Sequence, residues 1–124
     1  IKTANLFLTR ERKLKIMDFG LAKTVEAVRR GGTTLIAGTP DYMAPEQTAG
    51  RPVDARTDLY GLGITLFELS TGRLPFVDGD VADQHRNAAR PDPSLGIAGY
   101  PPALAQLIVQ LMDPEPAARP ESAS

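Results

Sequence analysis

The feature that most constrains this fold is a helix candidate that is apolar on nearly every side. Residues 54–71 form a strong helix pattern, in which Asp54 or Thr57 can cap the first turn and Gly72 stands where a helix commonly ends. The apolar side chains surround most of this helix: Leu59, Leu62, Ile64, Leu66, Phe67 and Leu69. Such a helix is normally buried, so it needs packing partners on several sides.

The segment before this helix supplies few of those partners. Residues 5–9 and 13–18 are short apolar or alternating runs separated by the polar residues 10–12, a pattern that predicts a β-hairpin. A short helical turn is predicted after Pro45, because proline suits a first helical position.

Two further helices are predicted after residue 72. Residues 80–90 are weakly amphipathic, and their single histidine, His85, is expected at the surface with no catalytic role. Residues 103–112 are clearly amphipathic, with an apolar face of Leu104, Leu107, Ile108 and Leu111. These elements are too few to cover the apolar helix, so we interpret the chain as part of a larger domain.

Composition narrows the class of protein. Of the 124 residues, 42% are hydrophobic and 23% are charged, which is typical of a globular domain. The 14 basic and 15 acidic residues nearly balance, so no basic surface for nucleic acid is indicated. There is no cysteine, which excludes disulfides and thiolate metal sites. Because the first residue is Ile1 and a strand-like pattern follows at once, we expect the natural beginning of the chain to be missing.

One short stretch, IMDFGLAKT (16–24), leaves two interpretations open. It puts a carboxylate, Asp18, at the end of an apolar strand and follows it with Phe19 and Gly20. Asp before Phe-Gly suits a tight turn. The alternative is a metal ligand held at the rim of a core.

Four stretches carry a family resemblance. IKTANLFL (1–8), IMDFGLAK (16–23), GTPDYMAPEQ (38–47) and DLYGLG (58–63) occur in this order, and together they resemble the eukaryotic-type (Hanks-type) Ser/Thr protein kinases, in a style similar to bacterial members. The resemblance implies that residues 1–124 form part of a kinase-like large lobe, mainly α with a short β-hairpin at the N-terminus. The domain would be incomplete, without its N-lobe and the helices that precede the catalytic loop.

The resemblance also implies roles for residues at the start of the chain. Lys2 corresponds to the catalytic-loop lysine that neutralises the transferring phosphoryl group, and Asn5 and Asp18 correspond to the magnesium ligands. Asp18 would then also contact ATP, and Leu6 and Phe7 resemble the strand that touches adenine. On this basis we favour the metal-ligand interpretation of Asp18, with Phe19 packing behind it and Gly20 as a pivot.

Residues 18–46 resemble the activation segment of the family. Thr39 corresponds to the threonine that contacts the catalytic aspartate and lysine, and with Lys2 it favours Ser/Thr over Tyr specificity. Thr33 and Thr34 lie in a polar, glycine-containing stretch and are predicted phosphorylation sites, with an ordinary loop role as the alternative.

Three further residues have structural roles in the family. Glu46 is expected to pair with Arg119 in a buried, bidentate ion pair. Asp58 corresponds to a helix aspartate that hydrogen-bonds the catalytic-loop backbone. Thr65 is unexpected, because an aliphatic residue would suit the apolar helix there.

The function implied by the resemblance is transfer of the ATP γ-phosphoryl group to Ser or Thr of protein substrates, with ATP and Mg²⁺ as cofactors. Residues 1–124 alone are expected to be inactive and poorly stable, because the catalytic aspartate would precede Ile1 and the N-lobe is needed for activity. The alternatives are a non-catalytic binding or regulatory fragment and a pseudokinase. The expected location is cytoplasmic, either free or as the cytoplasmic domain of a membrane-anchored kinase, and no nucleic-acid partner is expected.

Overall fold

The computed structural model describes residues 1–17 and 40–123. A 3-10 turn (Thr3–Asn5) leads into strands β1 (Leu6–Leu8) and β2 (Leu14–Ile16). The second described range begins with the 3-10 turn Pro40–Tyr42 and continues through four helices and a last 3-10 turn: α1 (Pro45–Thr48), α2 (Ala55–Thr71), α3 (Val81–Asn87), α4 (Pro102–Leu111) and Pro116–Ala118. The described part is therefore mainly α with a short N-terminal hairpin, as the sequence predicts.

The hairpin is a two-stranded antiparallel sheet. Leu6 pairs with Ile16 and Leu8 pairs with Leu14. The turn closes where the amide of Thr9 donates to the Lys13 carbonyl at 2.9 Å. The sheet leaves large apolar side chains exposed on both strands: Phe7, Leu8, Leu14 and Ile16.

Both ends of α2 are capped as its sequence predicts. Asp54 is the N-cap and accepts a hydrogen bond from the Arg56 amide at 2.8 Å, while the Thr57 hydroxyl accepts from the Asp54 amide at 3.3 Å. Gly72 takes the left-handed conformation (φ 72°) and its amide returns to the Glu68 carbonyl at 2.8 Å, which a residue with a Cβ would do less easily. These two caps fix the helix at 17 residues. No helix in the two described ranges is both long enough and apolar enough to cross a membrane.

The core forms where α2 packs against α4. It contains buried side chains from α2, from the segment after it, and from α4 and its C-cap residue: Tyr60, Ile64, Phe67, Phe76, Ile108 and Met112. Leu69 of α2 remains 60% exposed, so burial within the described residues covers only part of this apolar helix.

The predicted apolar face of α4 is wrong at one position. Leu107 is 41% exposed, whereas Ala105, Ile108 and Leu111 are buried. The stripe that faces α2 follows the i, i+3, i+6 positions from Ala105, and this places Leu107 to one side of it.

Thr65 is fully buried in α2, and its hydroxyl explains how a polar residue fits there. The hydroxyl donates to the Gly61 carbonyl one turn earlier at 2.8 Å. This bond satisfies the buried group locally, so the position needs no polar partner outside the helix.

A tight approach of α4 to α2 predicts the effect of one substitution. A Cβ at Gly63 would lie 2.8 Å from the Leu111 Cβ and 2.9 Å from the Met112 Cγ. Gly63→Ala is therefore expected to destabilise the fold by about 1–3 kcal/mol through overpacking, despite the better helix propensity of alanine. Thermal unfolding of the complete protein measures this change. A raised melting temperature of Gly63→Ala would contradict this, because it would mean that α4 moves away from the new Cβ without loss of stability.

Candidate functional site

The first residues of the chain form a turn that brings Lys2 and Asn5 together. The Asn5 amide donates to the Lys2 carbonyl at 3.0 Å, which closes the 3-10 turn Thr3–Asn5. The side chain of Asn5 is half-buried and hydrogen-bonds to none of the described residues. Its amide oxygen is therefore not used by these residues, and oxygen is the donor type that Mg²⁺ prefers.

The hairpin returns the chain to Asn5. The amide of Met17 donates to the Asn5 carbonyl at 2.7 Å, one residue beyond the last pair of the ladder. Asp18, the next residue in sequence, lies outside the described residues. Of the predicted adenine-contacting residues, Leu6 is half-buried and Phe7 is 50% exposed.

A three-way hydrogen-bond network ties this turn to α2 and to the turn Pro40–Tyr42. The Thr3 hydroxyl lies 2.8 Å from the Tyr42 hydroxyl, and both hydroxyls donate to Oε2 of Glu68 at 2.5 Å. Burial raises the pKa of Tyr42, and the hydrogen bond to Glu68 raises it further. Sequence reasoning missed this network. The available signal was a single carboxylate, Glu68, inside the otherwise apolar run LFEL.

The N-terminal turn also rests directly on α2. A Cβ at Gly61 would lie 3.2 Å from the backbone nitrogen and 3.2 Å from the carbonyl oxygen of Ile1. Only a residue without a side chain allows this approach at no cost. This close approach and the hydrogen bonds of Glu68 both hold the N-terminal turn against α2. Helix α2 therefore positions Lys2 and Asn5.

Glu46 and Arg119 form the predicted bidentate ion pair. One guanidinium nitrogen of Arg119 lies 2.7 Å from Oε1 of Glu46, and the other lies 2.9 Å from Oε2. Glu46 is 2% exposed and Arg119 is 3% exposed. The pair joins the start of α1 to the residue after the turn Pro116–Ala118. These two segments are far apart in sequence.

The remaining polar atoms of this pair are also satisfied. Arg119 donates through Nε to the Asp113 carbonyl at 2.8 Å and through Nη1 to the Arg56 carbonyl at 3.0 Å. Its guanidinium lies 4.8 Å from the centre of the Tyr60 ring, within the range of a cation–π contact. Thr57 donates its hydroxyl to Oε1 of Glu46 at 2.8 Å. A buried ion pair is stable only when its other hydrogen bonds are made in this way.

The carboxylate of Glu46 makes stability depend on pH in a defined direction. Burial raises its pKa, but hydrogen bonds from Arg119, the backbone and Thr57 outweigh that effect, so the pKa lies below the ordinary 4.5. The ionised Glu46 carboxylate therefore contributes its whole stabilisation above pH 4.5. This contribution is lost as the pH falls through the lower pKa of the folded state. Glu46→Gln should lower the free energy of unfolding most at neutral pH. In acid, the free energies of unfolding of the variant and the wild type should become more similar. Denaturant unfolding at several pH values tests this; a constant difference would contradict it.

His85 was expected at the surface, and this expectation is wrong. The side chain is fully buried, with its Nδ1 atom 2.7 Å from the Tyr60 hydroxyl. Burial, and then the positive charge of Arg90, lower its pKa to about 4. Polar neighbours on both sides of His85 in sequence suggested exposure, but residues distant in sequence, Tyr60 and Phe76, enclose the ring.

Arg90 also escaped sequence reasoning. Its guanidinium donates to backbone carbonyls at the ends of two helices, including His85 at 2.6 Å and Met112 at 2.5 Å. Cations stabilise helix C-termini, where carbonyl groups lack partners. Arg90 thereby joins the end of α3 to the end of α4.

Asp58 is exposed, and its side chain makes no hydrogen bond with a described residue. Its predicted hydrogen bond to the catalytic-loop backbone stays a prediction. Several other predicted site residues lie outside the described residues, and their roles stay predictions: Asp18, Phe19, Gly20, Thr33, Thr34 and Thr39. Within the two described ranges, no cluster of three or more His, Cys, Asp or Glu side chains is placed to hold a metal ion.

Comparison with known proteins identifies the family. The model of the protein kinase domain matches residues 1–124. The serine/threonine-protein kinase Pkn1 of Myxococcus xanthus is 40% identical over 94% of this chain and 18% of its own length. PksC of Streptomyces coelicolor is 40% identical over 99% of this chain and 23% of its own. PknB of Mycolicibacterium smegmatis is 35% identical over 100% of this chain and 21% of its own. The chain thus spans about a fifth of the length of these relatives, and it belongs to the protein kinase domain family.

Proposed function

We propose that this chain is the large-lobe part of a Ser/Thr protein kinase that transfers the γ-phosphoryl group of ATP to protein hydroxyls. The observation that carries the proposal is the closed hairpin, in which Met17 pairs with Asn5. This pairing places Met17, which precedes Asp18 in sequence, beside Asn5, one of the two predicted magnesium ligands. The family match over residues 1–124 supports the same assignment.

The residues present fit magnesium and ATP. Asn5 offers an amide oxygen that no described residue uses, and Asp18 would supply a carboxylate. Asn5 and Asp18 would hold magnesium, which would supply positive charge to neutralise the phosphates. Lys2 would add a positive charge at the transferred phosphoryl group, and the Glu68 network would hold Lys2 in position through its neighbour Thr3.

The exposed side chains of the hairpin support a nucleotide next to it. Adenine would lie beside the strand that holds Leu6 and Phe7, and the N-lobe would cover the remaining exposed apolar surface of β1 and β2. ATP and a protein bearing Ser or Thr are accordingly the proposed partners, and the cytoplasm is the proposed place of action.

The experiment is a transfer assay on the complete protein that contains this chain. Labelled γ-phosphate, Mg²⁺ and a generic protein substrate should give phosphoserine or phosphothreonine. Lys2→Ala should abolish most of this transfer, whereas Lys15→Ala, at an exposed lysine of β2, should not. Absence of transfer by the complete protein would overturn the proposal. If it still bound ATP, the result would favour a pseudokinase, and if it bound none, a binding fragment.

A further inference from the structure

The tip of the hairpin, residues 10–13, concentrates positive charge at one place on the fold. It carries three basic side chains, Arg10, Arg12 and Lys13, and one acidic side chain, Glu11. All four are exposed, and none of them forms an ion pair with a residue that the structure describes. The chain as a whole has a formal net charge of -1, so its balanced composition conceals a local basic patch.

The turn that displays these charges is held by one residue, Thr9. Its carbonyl accepts from the Arg12 amide at 2.9 Å, and its hydroxyl accepts from the Lys13 amide at 3.2 Å. Its own amide donates to the Lys13 carbonyl at 2.9 Å. The backbone under the basic side chains is therefore ordered before any partner binds, and a preorganised site loses less entropy on binding.

Arg12 has a backbone conformation that favours glycine. Its φ of 60° is the one positive value at a non-glycine residue in the described ranges. Three-residue hairpin loops usually have glycine at this left-handed position, because a Cβ is unfavourable there. The arginine therefore makes the turn less stable than glycine would. Such strain is a reason to ask what the side chain binds.

The tip is separated from the predicted phosphoryl-transfer end of the hairpin. Strand β1 lies between Asn5 and Thr9, which at about 3.3 Å per residue places these two residues roughly 13 Å apart. A partner bound at the tip would therefore leave Asn5 accessible. The positive charge is limited to one turn, and the rest of the chain is net negative. The tip therefore suits a short acidic segment better than a wide anionic surface.

We propose that Arg10, Arg12 and Lys13 form a docking surface for a short acidic segment of the protein substrate, at a distance from the hydroxyl that is phosphorylated. Each guanidinium group can bind a carboxylate through two hydrogen bonds, and Lys13 adds a third positive charge. The identity of the partner as a substrate rests on the proposed kinase function. Docking raises the local concentration of the hydroxyl, so it lowers the KM for the protein substrate and does not change kcat or the KM for ATP.

Two double variants of the complete protein test this surface. Arg10→Gln with Arg12→Gln removes two charges from the tip, whereas Arg51→Gln with Arg73→Gln removes two exposed arginine charges elsewhere. The probe is a fluorescent polyglutamate peptide, and its binding is followed by anisotropy at low salt. The tip variant should bind the peptide about tenfold more weakly than the wild type, and added salt should weaken the wild-type complex. The control variant should bind as the wild type does.

Substrate kinetics give a second readout. One protein substrate is compared with a version of it that carries a distal run of glutamates. This run should lower the KM about tenfold for the wild type and the control variant but not for the tip variant, at unchanged kcat.

Arg12→Gly separates the stability of the turn from its binding. The substitution should raise the melting temperature, because glycine suits the left-handed conformation. It should nevertheless weaken binding of the polyglutamate peptide, because it removes one of the guanidinium groups.

Equal binding of the peptide by the two double variants would overturn the docking surface. A glutamate run that lowers the KM equally for both would also overturn it. Tighter binding of the wild type to phosphatidylserine vesicles than to the peptide would assign the tip to a membrane surface instead. If the complete protein transfers no phosphate, the proposed function fails, whereas peptide binding still decides whether the tip binds an acidic segment.

Discussion

Replacing Arg119 by alanine is expected to lower the free energy of unfolding by about 3–5 kcal/mol, because the change leaves the Glu46 carboxylate buried without its partner. The two side chains meet at 2.7 and 2.9 Å with almost no exposed surface. The substitution also removes donors to the Asp113 and Arg56 carbonyls. Thermal and denaturant unfolding of the complete protein measure the loss.

A matched control is available on the surface. Arg56 forms an ion pair with Asp54 at the same 2.7 Å, but these side chains are 35% and 51% exposed. Exposed pairs contribute little, so Arg56→Ala should change the melting temperature far less than Arg119→Ala. The backbone carbonyl that Arg119 uses at position 56 is unaffected by this control. Equal effects of the two substitutions would show that burial does not set the strength of the Glu46–Arg119 pair.

Asn5→Ala is expected to lower kcat/KM for phosphoryl transfer by about a hundredfold or more. The substitution removes a positioned oxygen from a reaction that depends on positioning and charge neutralisation. The Asn5 backbone, which pairs with Met17 and Lys2, is retained. The fold should therefore change little, and the remaining activity should need a higher Mg²⁺ concentration.

Asn87→Ala serves as the control for this substitution. Asn87 is exposed near the end of α3 and bonds to Asp83 at 2.7 Å, so its removal should leave transfer intact. Activity of Asn5→Ala equal to wild type at every Mg²⁺ concentration would refute a role for Asn5 as a metal ligand. A matching loss in both variants would point to a general effect on folding.

Local sequence signals predicted the elements of the fold well. The caps Asp54 and Gly72 and the leading Pro45 act within a few residues of themselves, so their effects follow from nearby sequence alone. The hairpin around residues 10–12 was predictable for the same reason. The bidentate contact of Glu46 with Arg119 spans a long separation, and the family resemblance rather than any local pattern predicted it.

What escaped prediction depends on contacts between distant residues. His85 lies in a short polar helix, and nothing near it in sequence indicates that Tyr60 and Phe76 enclose it. Leu107 fits an apolar pattern, but the side of α4 that meets α2 is set by packing. The bond between Thr3 and Glu68 joins residues 65 apart, and no periodicity reports such a contact.

The separation of 73 residues between Glu46 and Arg119 also has a consequence for synthesis on the ribosome. At about 5–20 residues per second, roughly 4–15 seconds pass between the making of the two residues. During that interval Glu46 has no cationic partner. A contact that closes so long a loop forms late in folding. The chain must lose the entropy of the open loop before the contact can stabilise the fold. Loss of Arg119 should then speed unfolding far more than it slows folding. Arg119, made well after Glu46, thus determines how long the folded state lasts rather than how quickly it forms.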